Sequence, residues 1–190
     1  MTKRISLTAQ AHSIIDKHLT TGEIAIDATT GNGHDTLYLA KQVGITGKVF
    51  GFDIQQQAIE STDSRLKSEN FTNNIKLFHC SHNQIQHCIP TEFHGKIKVI
   101  MFNLGYLPGS DKSIITQTDS TLSALEQAIK LLVTSGVMTI AAYPGHSGGD
   151  TETNAIEQWH QQLDCKQYHV KTIYSSEKQT APRLYIIQKN

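Results

Sequence analysis

The 190-residue chain has few cysteines and no excess of charge of either sign. Its three cysteines are an odd number without C-x-x-C spacing, which argues against a disulfide framework and a zinc knuckle and favours a reducing compartment. Seventeen basic residues balance seventeen acidic ones, so the formal net charge is zero. This balance excludes a protein that binds nucleic acid through its overall charge, although a local basic patch is still allowed.

Long apolar runs are also missing. No stretch approaches the roughly 18 apolar residues of a membrane span, and residues 1–19 contain no apolar core of a signal peptide. The composition, 38% hydrophobic and 18% charged, is typical of a folded globular protein. We therefore expect one domain covering residues 1–190 in the cytoplasm, with no membrane partner, and the sequence leaves the oligomeric state open, a homodimer included.

Strand and helix patterns alternate along the chain. Apolar spacing predicts seven strands, at 23–28, 48–53, 75–79, 97–103, 137–143, about 166–174 and 183–188. It predicts six helices, at 8–19, 34–43, 55–68, 84–89, about 120–133 and 151–163. Helices between strands are typical of right-handed βαβ units, and the short turn 175–181 requires an antiparallel final strand. The expected fold class is α/β, a Rossmann-like, seven-stranded, mostly parallel sheet with helices on both faces.

A glycine-containing loop, D-A-T-T-G-N-G-H-D-T (27–36), follows the first predicted strand and opens a helix. Glycine lets a ligand approach the backbone, and the helix N-terminus offers free N–H groups. About twenty residues later the second strand ends at Asp53, where a carboxylate can accept hydrogen bonds from two ribose hydroxyls. The two features together predict an adenosine-type ligand; the alternative is an ordinary turn with glycine for conformation alone.

Two residues of this loop decide between adenosine ligands. Thr36 replaces the third glycine of the dinucleotide fingerprint, and Asp27 precedes the loop. A pyrophosphate would be repelled by the Asp27 carboxylate, whereas the cationic groups of S-adenosylmethionine would be attracted to it. S-adenosylmethionine is favoured, and an NAD-dependent oxidoreductase is the first rival interpretation.

Two further loops lie at the same predicted sheet edge. The sequence N-L-G-Y (103–106) resembles the (Asp/Asn)-Pro-Pro-(Tyr/Phe) motif of enzymes that methylate nitrogen, with both prolines replaced. Asn103 would orient the amine lone pair, and Tyr106 would stack on a base or cover the methyl centre; the alternative is a capping Asn. The second loop, Y-P-G-H-S-G-G (143–149), carries His146, which can titrate near neutrality.

Other catalytic chemistries find no support. The ten histidines show neither H-x-x-x-H nor H-E-x-x-H spacing, so we expect no metal site. We do not expect a Ser–His–Asp hydrolase, although G-H-S-G-G (145–149) has the spacing G-x-S-x-G. His79 and His169 are expected to be structural.

The blocks 27–36, 51–54 (G-F-D-I), 103–112 (N-L-G-Y-L-P-G-S-D-K) and 143–149 resemble the YtqB-type class I methyltransferases, a family labelled rRNA methylases. The resemblance covers essentially the whole chain. It implies a class I methyltransferase fold, S-adenosylmethionine as cofactor, and methylation of 5-aminomethyl-2-thiouridine at the tRNA wobble position. The expected partner is therefore the anticodon stem-loop of tRNA. Methylation of rRNA or another RNA at nitrogen, and a catalytically silent RNA-binding module, are the alternatives.

Motifs and resemblance together give the expected site residues. The catalytic residues are Asn103, Tyr106 and His146. The cofactor-binding residues are Asp27, Thr29, Gly31, Asn32, Gly33, His34, Asp35, Thr36, Asp53, Ile54, Gln55, Ser81, His82 and Asn103. The substrate-binding residues are Tyr106, Lys112, Tyr143, Pro144, Gly145, His146 and Arg183, with Lys112 and Arg183 as local cations for RNA.

Overall fold

The structure, a computed structural model, describes residues 6–105, 116–145, 148–176, 178 and 180–190. Seven strands form one sheet in the order β3-β2-β1-β4-β5-β7-β6. The strands are β1 (Ile24–Asp27), β2 (Lys48–Asp53), β3 (Ile75–His79), β4 (Ile97–Asn103), β5 (Leu132–Ala142), β6 (Tyr168–Tyr174) and β7 (Arg183–Lys189). β1 to β5 are parallel, and β7 lies antiparallel between β5 and β6. The predicted fold class is confirmed.

Helices cover both faces of this sheet. They are α1 (Leu7–Ile15), α2 (His34–Val43), α3 (Gln56–Ser68), α4 (Ile85–Cys88), α5 (Thr118–Leu131) and α6 (Gly149–Gln161), with 3-10 turns at His82–Gln84 and Thr91–Phe93. α1, α2 and α3 share one apolar core, and α4, α5 and α6 share the other. Successive residues of β4 alternate between the two cores, Val99 and Met101 in one and Ile100 and Phe102 in the other. Because the strand is buried on both faces, its sequence is a nearly continuous apolar run and does not alternate between apolar and polar residues.

Several helix ends differ from the predicted ones. Ser6, not Thr8, caps α1, because its Oγ accepts the N–H of Ala9 at 3.1 Å. The chain after Ile15 tightens into i→i−3 turns before Leu19, so α1 is shorter than predicted although Leu19 is buried. The predicted helix 84–89 is a 3-10 turn followed by α4. α5 ends at Leu131 because the next residue already pairs with β4.

The strand order reverses between β1 and β4. The carboxyl ends of β1, β2, β4 and β5 meet there, together with the loops that follow them. Ligands of open α/β sheets bind in the crevice outside such a switch point. The fold therefore brings the predicted glycine loop, Asp53 and Asn103 to one edge.

Candidate active site

A cavity of about 750 Å³ opens at this edge, a size within the ordinary range of ligand sites. It is lined by the loops after β1, β2, β3, β4 and β5 and by the start of α5. The lining residues are Ala28–Asn32, His34, Asp35, Phe52–Gln55, Ser81, His82, Asn103–Gly105, Thr116, Gln117, Ser120 and Tyr143–Gly145.

The glycine loop is held in shape by α3. Thr62 donates its hydroxyl to the carbonyl of Gly31 at 3.1 Å, and Arg65 donates Nε–H to the carbonyl of Asn32 at 2.7 Å. Arg65 also contacts Nε2 of His34 at 3.2 Å. Gly33 has a φ of +77°, and a Cβ there would lie 2.8 Å from Cα of Thr62. The loop therefore requires glycine at this position for its backbone and for the close approach of α3.

Asp53 joins the ends of β1 and β2. Its Oδ2 accepts the N–H of Gly31 at 2.9 Å, and its Oδ1 accepts the N–H of Gln55 at 2.9 Å. Each carboxylate oxygen has a further acceptor position. The carboxylate is thus oriented by backbone and can still accept hydrogen bonds from a ligand in the cavity.

Asp27, Gly33 and Thr36 are not among the described residues that line the cavity. Asp27 is 1% exposed, and Thr36 donates its hydroxyl to Oδ2 of Asp27 at 2.6 Å. Burial, and then the charge of Asp35, raise the pKa of Asp27 to about 7. The β2 residue Gly51 is required by neighbours other than Thr36, because an added Cβ there would lie 2.6 Å from Cγ2 of Thr30 and 2.7 Å from Cδ2 of Leu77. Asp27, Gly33 and Thr36 support the loop, and their predicted contacts with the cofactor stay predictions.

Asn103 and Asp35 are in contact in the wall of the cavity. Nδ2 of Asn103 lies 3.3 Å from Oδ2 of Asp35, and the backbone N–H of Asn103 donates to Oγ1 of Thr29 at 2.8 Å. Because an ionised carboxylate only accepts, the amide must present its NH₂ to Asp35. The carbonyl oxygen of Asn103 remains as an acceptor for another group.

Two buried polar atoms of the lining have no hydrogen-bond partner among the residues that the structure describes: Nε2 of His82 and Oγ1 of Thr30. Burial lowers the pKa of His82 to about 4, while a hydrogen bond with the backbone of Ala28 partly opposes this. His82 is thus neutral at physiological pH. Unpaired polar atoms buried in a cavity wall favour a ligand that pairs with them.

The loop after β5 closes another side of the cavity through Tyr143, Pro144 and Gly145. Burial and the nearby charge of Asp35 raise the pKa of the Tyr143 hydroxyl, and a hydrogen bond with the side chain of Thr8 opposes the rise. Tyr106, Lys112 and His146 lie outside the described residues, so their roles stay predictions.

Arg183 begins β7 beside the carboxyl end of β5, but it is not one of the described residues that line the cavity. Its Nη1 lies 3.4 Å from Glu157, and its guanidinium lies 5.4 Å from the ring centre of Tyr174. The predicted RNA cation is thus engaged with α6 and β6.

Sequence reasoning missed the contribution of α5 and α6. Thr116, Gln117 and Ser120 line the cavity, and the carboxylate of Glu152, 3% exposed, accepts the hydroxyls of Thr116 and Thr121, each at 2.7 Å. Thr116 in turn accepts the N–H of Gly105 at 3.1 Å. The sequence signal for Glu152 was an acidic residue in the first turn of α6. Such a residue is equally well explained by its favourable interaction with the helix N-terminus.

No group of three His, Cys, Asp or Glu side chains within the described ranges could hold a metal ion. None of the described helices is long and apolar enough to cross a membrane.

Residues 49–189, well over half of the chain, match the family described as "Putative rRNA methylase". The chain belongs to this rRNA methylase family. A curated relative is the chloroplastic tRNA (mnm5s2U34)-methyltransferase of Arabidopsis thaliana, 40% identical over 162 residues. The match covers 81% of this chain but 58% of the Arabidopsis protein, so the chain spans little more than half the length of that relative.

Two solved structures resemble this chain over its full length. A protein of Clostridium thermocellum described as an rRNA methylase is 36% identical, with a TM-score of 0.92 and full coverage of both chains. A Streptococcus mutans protein described as a methyltransferase was solved in complex with S-adenosylhomocysteine. It is 32% identical, with a TM-score of 0.86 and full coverage of both chains. The fold is therefore that of the class I methyltransferases.

Proposed function

We propose that this chain transfers a methyl group from S-adenosylmethionine to the amine of 5-aminomethyl-2-thiouridine at the tRNA wobble position, giving 5-methylaminomethyl-2-thiouridine. The observation that carries the proposal is the 40% identity, over 81% of the chain, to a tRNA (mnm5s2U34)-methyltransferase. Residues 1–190 act as one domain in this proposal, and the reaction is assigned to the cytoplasm.

The residues of the cavity fit S-adenosylmethionine as the cofactor. Asp53 would accept the two ribose hydroxyls, and the backbone of the loop Gly31–Asp35 would hold the methionine part, which leaves the Asp35 carboxylate for the target amine. Ser81 and His82 would face the adenine, whose polar edge supplies a partner for the unpaired Nε2 of His82. The S. mutans relative in complex with S-adenosylhomocysteine supports this assignment.

The bound cofactor supplies an electrophilic methyl group on a sulfonium, which passes to the nitrogen lone pair and leaves S-adenosylhomocysteine. An aliphatic amine has a reference pKa of about 10.4, so the bound ammonium must first give a proton to solvent or to a base such as His146, which frees its lone pair. Asn103 would position the amine. Its Nδ2 is directed to Asp35, and its carbonyl oxygen would accept a hydrogen bond from the amine. Alignment of the lone pair with the methyl–sulfur bond would supply most of the increase in reaction rate.

The target nucleotide would enter between the loop 104–112 and the loop 143–149. Gly105 and Tyr143–Gly145 form part of the cavity wall on this side. Tyr143 or Tyr106 would stack on the extruded base, a contact worth roughly 1–3 kcal/mol in single-strand binders. Because the net charge is zero, local cations such as Lys112 would have to hold the RNA.

The test is methylation of tRNA isolated from cells lacking this gene, followed by mass spectrometry of the wobble nucleosides. The proposal predicts a methyl group gained by 5-aminomethyl-2-thiouridine, and none in a tRNA with cytidine at the wobble position. Transfer only to ribosomal RNA would favour the rRNA alternative. RNA binding without any transfer would indicate a silent binding module.

His146 has a separate test within this proposal. The His146→Ala variant is expected to lose tRNA binding or turnover while its affinity for S-adenosylmethionine, measured by titration calorimetry, is unchanged. Weaker cofactor binding with intact tRNA affinity would instead mean that the loop 143–149 only covers the cofactor.

A further inference from the structure

The first helix, α1, presents two rows of side chains. The apolar row, one helical turn apart, is buried where α1 packs on β5 and β7: Leu7, Ala11 and Ile15. The next row along the helix is polar and consists of Thr8, His12 and Asp16. The apolar row therefore fixes the polar row beside α2 and the end of β5.

His12, in the middle of the polar row, is held from two sides. Its ring stacks on Tyr38 of α2, with ring centres 3.6 Å apart and planes 6° apart. The Tyr38 hydroxyl lies 2.6 Å from Oδ1 of Asp16 and 2.9 Å from the backbone carbonyl of His12. The imidazole therefore has a fixed position and direction.

This fixed imidazole points at the active site. Nε2 of His12 lies 2.8 Å from Oδ1 of Asp35, and because an ionised carboxylate only accepts, Nε2–H is the donor. Oδ2 of Asp35 receives Nδ2 of Asn103 at 3.3 Å. The two side chains thus hold one oxygen each of a carboxylate that is 8% exposed and lines the cavity. Each oxygen keeps one acceptor position for a ligand.

Thr8, one turn earlier on α1, hydrogen-bonds the hydroxyl of Tyr143, and Asp35 lies close enough to Tyr143 to raise its pKa. We call Asp35, Asn103 and Tyr143 the amine end of the cavity. It lies at the ends of β4 and β5, whereas Asp53 lies at the end of β2. An anionic acceptor, a carbonyl acceptor and an aromatic ring are suited to bind an ammonium group.

We propose that His12 is a positioning residue for methyl transfer: its hydrogen bond holds Asp35 where the carboxylate binds the substrate ammonium at the amine end. The inference rests on the proposed function and adds α1 to the active site. The cofactor also carries an ammonium group. However, Asp35 is hydrogen-bonded to Asn103, so the remaining acceptor positions of its carboxylate lie next to the residue assigned to the target amine.

Two variants separate the hydrogen bond from the packing of the ring. His12→Phe keeps an aromatic ring to stack on Tyr38 but removes the donor, whereas His12→Gln keeps a neutral N–H donor of similar reach and removes the ring. His18→Phe is the matched control, because His18 lies just beyond α1 and its charged neighbours are Lys98 and Lys17. Turnover and KM are measured with tRNA carrying 5-aminomethyl-2-thiouridine, and Kd with S-adenosylmethionine.

For His12→Phe we expect kcat to fall roughly tenfold to a hundredfold, as for a lost hydrogen bond to a charged group, with KM for tRNA and Kd for the cofactor near wild type. His12→Gln should recover most of kcat, and His18→Phe should match wild type. Thermal unfolding of each variant reports on folding.

Wild-type turnover by His12→Phe would overturn the inference, and so would equal losses in His12→Phe and His12→Gln. Loss of cofactor affinity in place of turnover would assign Asp35 to the methionine ammonium and would also overturn it. If the wild-type protein does not methylate this tRNA, the proposed substrate is wrong and the inference fails with it. An active wild type that is insensitive to His12 refutes the inference alone.

Discussion

Oδ2 of Asp53 accepts the backbone N–H of Gly31 at 2.9 Å, so the acid at the end of β2 closes the loop at the end of β1. The second oxygen is held by the N–H of Gln55 at 2.9 Å. The carboxylate is therefore oriented before any ligand binds, so the binding of a ribose requires little free energy to order the Asp53 side chain. Binding of an adenosine ligand and the shape of the glycine loop depend on the same side chain.

Replacement of this acid should weaken cofactor binding. Asp53→Ala removes the acceptor for the ribose hydroxyls and for Gly31, and we expect a loss of about 1–3 kcal/mol in the binding of S-adenosylmethionine. Titration calorimetry measures it. Asp63→Ala, which removes an acid on α3 that is ion-paired with Lys67, is the matched control and should bind as wild type. Unchanged affinity in Asp53→Ala would remove Asp53 from the ribose site.

Asn103 should matter more for turnover than for cofactor binding. Asn103→Ala deletes the carbonyl assigned to the amine and the NH₂ held by Asp35, and we expect kcat to fall at least tenfold, with a smaller change in Kd for S-adenosylmethionine. Single-turnover methyl transfer to tRNA measures the effect. Asn73→Ala, an exposed site in the turn before β3, serves as the control. Wild-type turnover in Asn103→Ala would show that another group orients the amine.

The order of the elements could be predicted from the sequence because each depends on a local pattern. β2, β3, β4 and α2 have the predicted boundaries, since their apolar runs are bounded by glycine and polar residues. The junction of α5 and β5 was predicted wrongly, because Leu131, Leu132 and Val133 fit a helix or a strand equally well. Leu132 belongs to the strand because it pairs with Ile97 of β4. A contact between residues so far apart in the sequence cannot be recognised from the local pattern.

The candidate site could likewise be predicted only in part. Asp53 and Asn103 could be predicted because the carboxyl ends of parallel strands meet at one edge. His12 and Glu152 come from helices whose side chains reach the site from outside the βα loops, so strand order alone cannot indicate them. Asp27 could be selected from its charge and its place before the glycine loop, but its hydrogen bond with Thr36 could not be predicted from the sequence.

The stability of the protein should depend on pH through Asp27. Burial and the charge of Asp35 raise its pKa from the ordinary 3.8 to about 7, so the folded protein binds this proton more tightly than the unfolded chain. The contribution of Asp27 to stability is therefore complete below pH 3.8 and is lost as the pH rises through about 7. Urea unfolding measured on both sides of this pKa should show the decline, and Asp27→Asn should lack it. Equal pH dependence in wild type and variant would contradict the raised pKa.

Cofactor binding should show the opposite trend at the same group. The sulfonium and ammonium of a bound cofactor would favour the ionised form of Asp27, so the bound state would have the lower pKa, and we expect affinity to rise as the pH increases through about 7. Calorimetry with S-adenosylmethionine on both sides of that pH measures the trend. His82, whose pKa is lowered to about 4, does not titrate there. A pH-independent affinity would mean that the bound cations lie too far from Asp27 to affect it.

Gly33 and Gly95 separate the strain of the backbone from the steric need for glycine in the loop. Both have positive φ, +77° and +71°, but an added Cβ at Gly33 would lie 2.8 Å from Cα of Thr62, whereas nothing lies within 4 Å at Gly95. Gly95→Ala should cost about 1–2 kcal/mol for the left-handed backbone alone. Gly33→Ala should cost about 1–3 kcal/mol more, because α3 must move away, and it should also weaken binding of S-adenosylmethionine by displacing Gly31. Urea unfolding and calorimetry measure the two effects. Equal destabilisation by the two variants would show that α3 gives way freely, and that the loop needs glycine for its conformation alone.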